Sequence, residues 1–408
     1  MKKILPLFAL LSSLLFGAGY QIPNNSINSQ ALSTANVANA HGADAAYYNP
    51  ANMVYNDKRD SIELSVSYVT LEPISYSSSD NIYHIKSQTS TSIVPSLHYV
   101  SHKLNDKGIR IGFSIVSPAG LTREWKDAPA SATAKNYTLN TIEFNPSVAI
   151  PITPTLSVGL GFRYILASGE IELDGSFIPL SPTTAPYTLN MDGDAQAAGY
   201  NLAFSYNATK SLNISATYRS KIVLNIKGSA DAIFAGTPIS SKASISAPIP
   251  ANFIFALAYT FPTGTTIETT YDKTYWSAIT ETNFEFDDPT LENTIGRTAP
   301  KKWNDTVAYR VGLTQKLSTM TLMTGFAYST NASQDEQYVT FSSPETDFLT
   351  YSIGARYTIN SNLELGLSAL YAQGEERDIS QPTHALGVNG TLGERDIYVL
   401  NFGAEYKF

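Results

Sequence analysis

Residues 400–408, Leu400-Asn401-Phe402-Gly403-Ala404-Glu405-Tyr406-Lys407-Phe408, decide the fold. Leu400, Phe402, Ala404, Tyr406 and Phe408 fall on one face of an extended chain, and Asn401, Gly403, Glu405 and Lys407 on the other. Side chains of a strand alternate with period two, so any half-buried strand can show this pattern. Here the stretch closes the chain on an aromatic residue, and the same alternation recurs along most of the sequence. The expectation is a wall with lipid outside and polar groups inside, as in an outer-membrane barrel.

The front of the chain agrees with export. Lys2 and Lys3 precede an apolar run from Ile4 to Phe16, followed by Gly17, Ala18 and Gly19. That order is the one of a secretory signal peptide, assigned here to residues 1–17. The run of about 13 residues is too short for a spanning helix, which needs about 20. With no cysteine in the 408 residues, neither a disulfide framework nor a thiolate metal site is available. The chain carries 27 basic and 35 acidic residues, and loss of Lys2 and Lys3 with the leader leaves 25 against 35, a net charge of −10. Such a balance argues against nucleic acid as a partner, because affinity there depends on lysine and arginine neutralising phosphates. Nothing after the leader approaches 18 consecutive apolar residues, so a closed barrel is the remaining way to satisfy a backbone in lipid.

Residues 18–59 lack sustained alternation and are rich in Asn, Ala and Ser, which suits either a tail or a hatch folded inside a barrel of residues 60–408. Strands are expected near 60–70, 91–101, 108–117, 140–151, 155–174, 190–206, 210–228, 242–261, 264–285, 302–317, 319–331, 346–359, 362–375 and 394–408. Outward faces are plain at Ile109, Ile111, Phe113 and Ile115, at Tyr200, Leu202, Phe204 and Tyr206, and at Phe253, Phe255, Leu257, Tyr259 and Phe261. The sum is an all-β, 14-stranded antiparallel transmembrane barrel, an even number as single-chain bacterial barrels have. Short turns at 102–107, near Thr153, 207–209, 262–263, 318 and 360–361 alternate with longer segments at 71–90, 118–139, 175–189, 229–241, 286–301, 332–345 and 376–393. Tight turns at one end and long loops at the other are the asymmetry of outer-membrane barrels. The 25 tyrosines suit aromatic girdles at both interfaces.

Motifs for catalysis are scarce: there is no H-E-x-x-H, Walker A or G-x-S-x-G. Gly159 and Gly161 fall within a strand, not at a strand-to-helix turn. His41, His84, His98, His102 and His384 show no metal-ligand spacing, so neither a metal nor a cofactor is expected. His98 has an inward phase, which leaves a Ser–His pair from distant strands open, although a pore-lining role is the commoner one. Inward phase is also expected for Arg163, Arg310 and Arg356, and for Thr217, Arg219, Lys221, Asn225 and Lys227 along one strand. Cations inside a barrel hold a carboxylate or phosphate head group, or else pair with Glu143, Glu170, Glu172 or Glu405, also read as inward.

Several motifs together resemble the FadL/TodX family of outer-membrane transporters for long-chain fatty acids and other hydrophobic compounds. They are Ala18-Gly19-Tyr20-Gln21, Ala45-Ala46-Tyr47-Tyr48-Asn49-Pro50-Ala51, Gly120-Leu121-Thr122, Leu156-Ser157-Val158-Gly159-Leu160-Gly161, Thr217-Tyr218-Arg219-Ser220, and Trp303 with Asp305 ahead of Tyr309-Arg310-Val311-Gly312-Leu313. The resemblance implies passive transport: loop capture, rearrangement of the hatch, and sideways exit through a kinked third strand. It implies that Asn49, Pro50 and Ala51 form the hatch motif, that Tyr20 lines the pocket, and that Ser117, Pro118, Ala119 and Gly120 form the lateral opening. Pro118 cannot donate to a ladder and Gly120 permits unusual backbone angles, so a break there has its own physical basis. Fatty-acid members of the family carry basic residues where Ser168 and Glu170 stand, which leaves room for an uncharged hydrocarbon unless Arg163, Arg219 or Lys302 takes the head group. The expected partners are a hydrophobic ligand, outer-membrane lipid and lipopolysaccharide, and the barrel-assembly machinery acting on the strand ending at Phe408. A monomer is expected, and the alternative is a diffusion porin for small polar solutes.

Overall fold

The computed structural model describes residues 20–176, 186–294, 297–300, 302–336, 339–380 and 388–408. Residues 1–17, where a signal peptide is expected, lie outside them, as do His384 and parts of four long segments. No helix among the described residues is long and apolar enough to cross a membrane. The chain crosses with strands.

Fourteen antiparallel strands form one closed ring. They are β1 (Ser61–Leu71), β2 (Ser90–Val100), β3 (Arg110–Val116, then Gly120–Glu124), β4 (Asn136–Pro151), β5 (Leu156–Asp174), β6 (Tyr187–Asn207) and β7 (Leu212–Arg219, then Ile222–Phe234). The ring continues through β8 (Thr237–Ile249, then Asn252–Thr260), β9 (Thr265–Thr274, then Glu281–Phe286), β10 (Arg297–Pro300, then Thr306–Lys316), β11 (Met320–Ser329), β12 (Phe348–Thr358), β13 (Leu363–Gly374) and β14 (Arg395–Lys407). Closure is made by β1 against β14, paired without a break from Ser61↔Lys407 to Leu71↔Ile397.

The stretch that opened the sequence reading behaves as its alternation requires. Leu400, Phe402, Tyr406 and Phe408 stand on the outside, while Asn401 and Glu405 are buried. Leu64, Phe162, Ile353 and Phe402 are each more than half exposed, which inverts the rule for a soluble core and is satisfied by lipid.

The seventh strand departs from its expected phase. Ser215, Thr217 and Arg219 point inward, but above the break at Ser220 and Lys221 the buried set becomes Ile222, Leu224 and Ile226. One step of register exchanges the two faces of a strand. Lys221, Asn225 and Lys227 are therefore exposed on the outer side, not in the lumen. In β5 the inward residues are Arg163, Ile165, Ala167, Ile171 and Leu173, so Ser168, Glu170 and Glu172 have the outward phase. They cannot inform the choice of a head group inside.

Residues 20–56 lie within the ring and carry two short helices, α1 (Ile27–Ala31) and α2 (Ala45–Tyr48), and a 3-10 turn, Pro50–Tyr55. Their interior position is possible because strand residues facing them are glycines. A β-carbon on Gly159 would sit 2.5 Å from the Ala51 nitrogen, and one on Gly325 would sit 2.2 Å from the Leu32 carbonyl carbon. At the long-loop end, Tyr76, Trp125, Phe341, Ile379 and Leu392 build an apolar cap under a small sheet of Ser75–Ser78, His84–Lys86, Arg377–Ile379 and Gly390–Leu392.

Candidate functional site

Strand β3 is interrupted where the sequence contains Ser117, Pro118 and Ala119. Its first piece pairs with β4 from Arg110↔Ala149 to Val116↔Glu143, and its second from Gly120↔Asn140 to Glu124↔Asn136. The register sum changes by one across the interruption, so the kink is a bulge with an extra residue. The consequence appears on the other side. Among the described residues the β2–β3 ladder runs over four pairs, from Leu97↔Ile115 to Val100↔Gly112.

Backbone groups freed at the kink are satisfied from inside. The Ile22 amide donates to the Pro118 carbonyl at 2.9 Å, the Gly120 amide to the Tyr20 carbonyl at 2.8 Å, and Gln21 bridges Ala119. The Ala119 amide donates to Thr141 Oγ1 at 3.1 Å and the Ser117 amide to Asn25 Oδ1 at 3.2 Å. Ser117, Pro118, Ala119 and Gly120 thus form a break in the wall that the N-terminal segment covers. Tyr20 continues this cover across the lumen, meeting Trp276 edge-on at 5.2 Å and donating its hydroxyl to the Pro248 carbonyl. Trp276 in turn meets Trp303 at 5.0 Å.

The Asn49-Pro50-Ala51 motif docks this segment on β5. Asn49 Nδ2 donates to the Val37 carbonyl at 2.7 Å while its Oδ1 caps the Ala51 amide at 3.1 Å. Pro50 opens the 3-10 turn, where its missing N–H costs nothing. Ser157 Oγ donates to the Ala51 carbonyl at 2.9 Å. On the far side, Glu268 accepts the amides of Val37, Ala38 and Asn39 at 2.5, 2.7 and 2.8 Å. Asp44 accepts from Ser26 Oγ at 2.7 Å and Asn28 Nδ2 at 3.1 Å. Burial, and next the nearby Glu63 carboxylate, raise its pKa to about 7 against the pull of Arg356.

The inward arginines are already engaged. Arg163 meets Glu143 through Nη2 at 2.8 Å and Nε at 3.0 Å, both side chains almost fully buried. Arg219 lies 3.7 Å over the Tyr47 ring and 3.6 Å from the same carboxylate. Arg310 pairs with Asp272 at 2.9 Å and borders a polar cavity of about 60 Å³, room for a few waters and too small for an acyl chain. Arg356 joins Glu63, Glu364 and Glu405. Lys302 is exposed, between the two pieces of β10. The structure therefore brings Arg163 and Arg219 together as a brace, and sets Arg310 and Lys302 apart from it. His98 and Ser114 do meet, at 2.9 Å, but both are fully buried and the other ring nitrogen faces the Asn25 carbonyl. That contact ties β2 and β3 to the N-terminal segment.

Two further arginines, Arg123 on β3 and Arg395 on β14, are buried without a carboxylate in ion-pair reach among the described residues. Sequence reasoning passed over them because residues 118–139 read as a loop and Arg395 begins its strand.

A model of the family described as outer membrane protein transport protein (OMPP1/FadL/TodX) matches residues 8–408. The chain is 25% identical to outer membrane protein P1 of Haemophilus influenzae over 347 residues, 77% of this chain and 71% of that one. It is 25% identical to the long-chain fatty acid transport protein of Escherichia coli O6:H1 over 414 residues, covering 90% of each. Among solved structures, a Pseudomonas aeruginosa FadL homologue superposes with a TM-score of 0.81 at 19% identity, covering 96% of this chain and 100% of the other. The Pseudomonas putida toluene transporter TodX superposes with a TM-score of 0.71 at 18% identity, covering 94% and 99%. Sequence relatives and barrel together place the protein in the bacterial outer membrane. The chain belongs to the outer membrane protein transport family of OMPP1, FadL and TodX.

Proposed function

We propose that this chain admits hydrophobic molecules passively, with capture by the long loops, rearrangement of a hatch formed by residues 18–59, and sideways exit from the barrel of residues 60–408. The observation that carries this reading is the β2–β3 seam, paired over a short stretch and covered from inside by Tyr20, Gln21 and Ile22. A greasy ligand gains nothing from an aqueous pore, since each CH₂ returned to water costs roughly 0.8 kcal/mol. A gap in the wall lets it pass from the lumen to lipid without that cost. The names of two relatives, one a long-chain fatty acid transport protein and one a toluene transporter, support both fatty acids and monoaromatic hydrocarbons as cargo.

In this reading Asn49, Pro50 and Ala51 hold the hatch on β5, Ser117 to Gly120 are the exit, and Tyr20 is the inner lining beside it. The barrel works as a monomer in contact with lipid and lipopolysaccharide, and the assembly machinery takes it up through β14. A porin for polar solutes is disfavoured by residues 20–56 filling the ring.

The test is uptake of labelled oleate and of toluene into cells lacking their own transporter, with this protein and with a variant deleted for residues 49–51. Uptake of either, altered by the deletion, supports the reading. Large steady single-channel openings, with neither compound taken up while folded barrel is present, overturn it in favour of a porin.

A further inference from the structure

The wall has a second interruption, between β6 and β7. Among the described residues this ladder runs in two pieces, from Asn213↔Asn207 to Arg219↔Asn201 and from Lys227↔Asp194 to Phe234↔Tyr187. Residues 195–200 of β6 thus lie opposite residues 220–226 of β7, one more on the β7 side, which is a bulge with the ladder opened around it. The far flanks hold. β6 pairs with β5 from Leu156↔Tyr206 to Asp174↔Thr188, and β7 keeps one register against β8 above and below its break. The opening belongs to the β6–β7 seam.

Side chains close this seam where ladder bonds do not. Ser220 ties its lower edge, with its amide donating to the Tyr200 carbonyl at 2.9 Å and its Oγ accepting from the Tyr200 amide at 2.9 Å. Above it, Ile222, Leu224 and Ile226 are buried in one apolar cluster with Ala195 and Ala197 of β6. A β-carbon on Gly199 would lie 2.8 Å from the Ile222 side chain, and one on Gly169 of β5 would lie 3.0 Å from Ile226 Cδ1. The isoleucines therefore reach over the small residues of β6. Parting them exposes apolar surface but breaks no pair of this ladder, so the seam opens more readily than a continuous one.

Its position suits passage. Along β6 the outward residues change from Phe204, Leu202 and Tyr200 to Gln196, Asp194 and Asp192. The gap lies where lipid gives way to water, which serves the backbone groups there. Inside, the same apolar cluster takes in Ala119 and Tyr20 at the β3 kink. One brace ends at both breaks: Glu143, opposite Val116 at the kink, holds Arg163, whose Nη1 donates to the Ser220 carbonyl at 2.9 Å.

We propose that the β6–β7 gap is a side entrance for small uncharged apolar molecules dissolved at the outer edge of the membrane. They pass between Ile222, Leu224 and the alanines of β6 into the cluster that leads to the β3 kink. This rests on the transport reading above and gives it a way in besides the long loops. Polar cargo is turned away because these aliphatic side chains offer it no hydrogen bond.

A diazirine-bearing analogue of toluene, photolysed in vesicles that hold the full barrel and mapped by mass spectrometry, follows the route without needing net uptake. The parent is expected to carry label at the inward Ile222 and Leu224. In Ala195→Cys with Ile226→Cys, one step beyond the Lys227↔Asp194 pair, oxidation is expected to lower that label about tenfold and reduction to restore it. Ala197→Phe fills the gap without a cross-link and is expected to lower the label likewise. A parent labelled at the outward Phe204 but not at Ile222 or Leu224 overturns the proposal. So does label that survives the fully formed cross-link or, where that link does not form, label that survives Ala197→Phe, with folding verified by heat-dependent gel migration. Label at the gap without uptake of toluene upholds the entrance and sinks only the transport reading. Uptake without label at the gap does the reverse.

Discussion

The two seams that flank β1 and β2 differ sharply. β1 and β14 pair over eleven consecutive residue pairs, an unbroken ladder. β2 and β3 pair over four, and the strand beyond is completed by residues 20–22 and by Asn25 and Thr141 side chains. A barrel wall in lipid must pair every backbone group, so a seam is either continuous or backed by something else. At β2–β3 the backing, apart from Thr141 on β4, is a segment of chain that is not part of the wall, and what is not part of the wall can move without unfolding it.

Breaking the brace under the weak seam has the largest expected effect. Glu143 stands opposite Val116, the last pair before the kink, and holds both Arg163 and Arg219. Glu143→Ala leaves Arg163 buried without its partner and is expected to lower barrel stability by about 3–5 kcal/mol, read from urea unfolding in detergent. The matching change near the strong seam, Asn401→Ala, removes no charge partner and is expected to cost well under that.

Loosening the backing is expected to come next. Glu268→Ala removes the acceptor for three amides of the N-terminal segment, a loss of about 1–3 kcal/mol per unmet group set. Hydrogen exchange at Val37, Ala38 and Asn39 is expected to speed up while exchange in β1 and β14 stays as it was. Equal acceleration in both would show that segment and wall open together.

Straightening the weak seam sharpens the comparison from the other side. Pro118→Val with Gly120→Val lets the ladder continue, and uptake of a hydrophobic compound is expected to fall about tenfold with the folded barrel retained.

The smallest effect is that of pH on the segment. The Asp44 pKa is raised from near 4 to about 7, so the folded state holds its proton more tightly than the unfolded chain does. The stability it contributes is full at low pH and is lost as pH rises from about 4 through about 7. Protection of α1 amides, corrected for intrinsic exchange, is expected to be lower at pH 8 than at pH 5, and Asp44→Asn is expected to level the two.

How far the sequence reveals this depends on the kind of interaction. Outward faces such as Leu400, Phe402 and Tyr406 are legible because lipid imposes period two on each strand separately. The fourteen-strand ring follows from adding them up. Lys221, Asn225 and Lys227 were misplaced because the flip at Ser220 and Lys221 depends on pairing with β6 and β8, which no single strand encodes. Pro118 announced a break in β3, but not that Tyr20 and Ile22 would cover it. The cations with inward phase, Arg163, Arg219 and Arg310, are visible in sequence, and so is Glu143 as an inward carboxylate; which cation meets which carboxylate is not, and Asp272 goes unread, since partners arrive from other strands. Arg123 and Arg395 have the same difficulty in reverse: that no carboxylate among the described residues comes within ion-pair reach is a property of the folded interior.

The central claim, exit through the β2–β3 seam, is tested most directly by two cross-links in a chain that has no other cysteine. Ser96→Cys with Val116→Cys extends the weak seam by one step, and Ser67→Cys with Asn401→Cys staples the strong one at a paired position. Uptake of labelled oleate or toluene, whichever the parent carries, is measured oxidised and reduced. The account predicts that oxidation blocks uptake in the first variant, that reduction restores it, and that the second variant is indifferent to both. Undiminished uptake with the β2–β3 cross-link fully formed would contradict it.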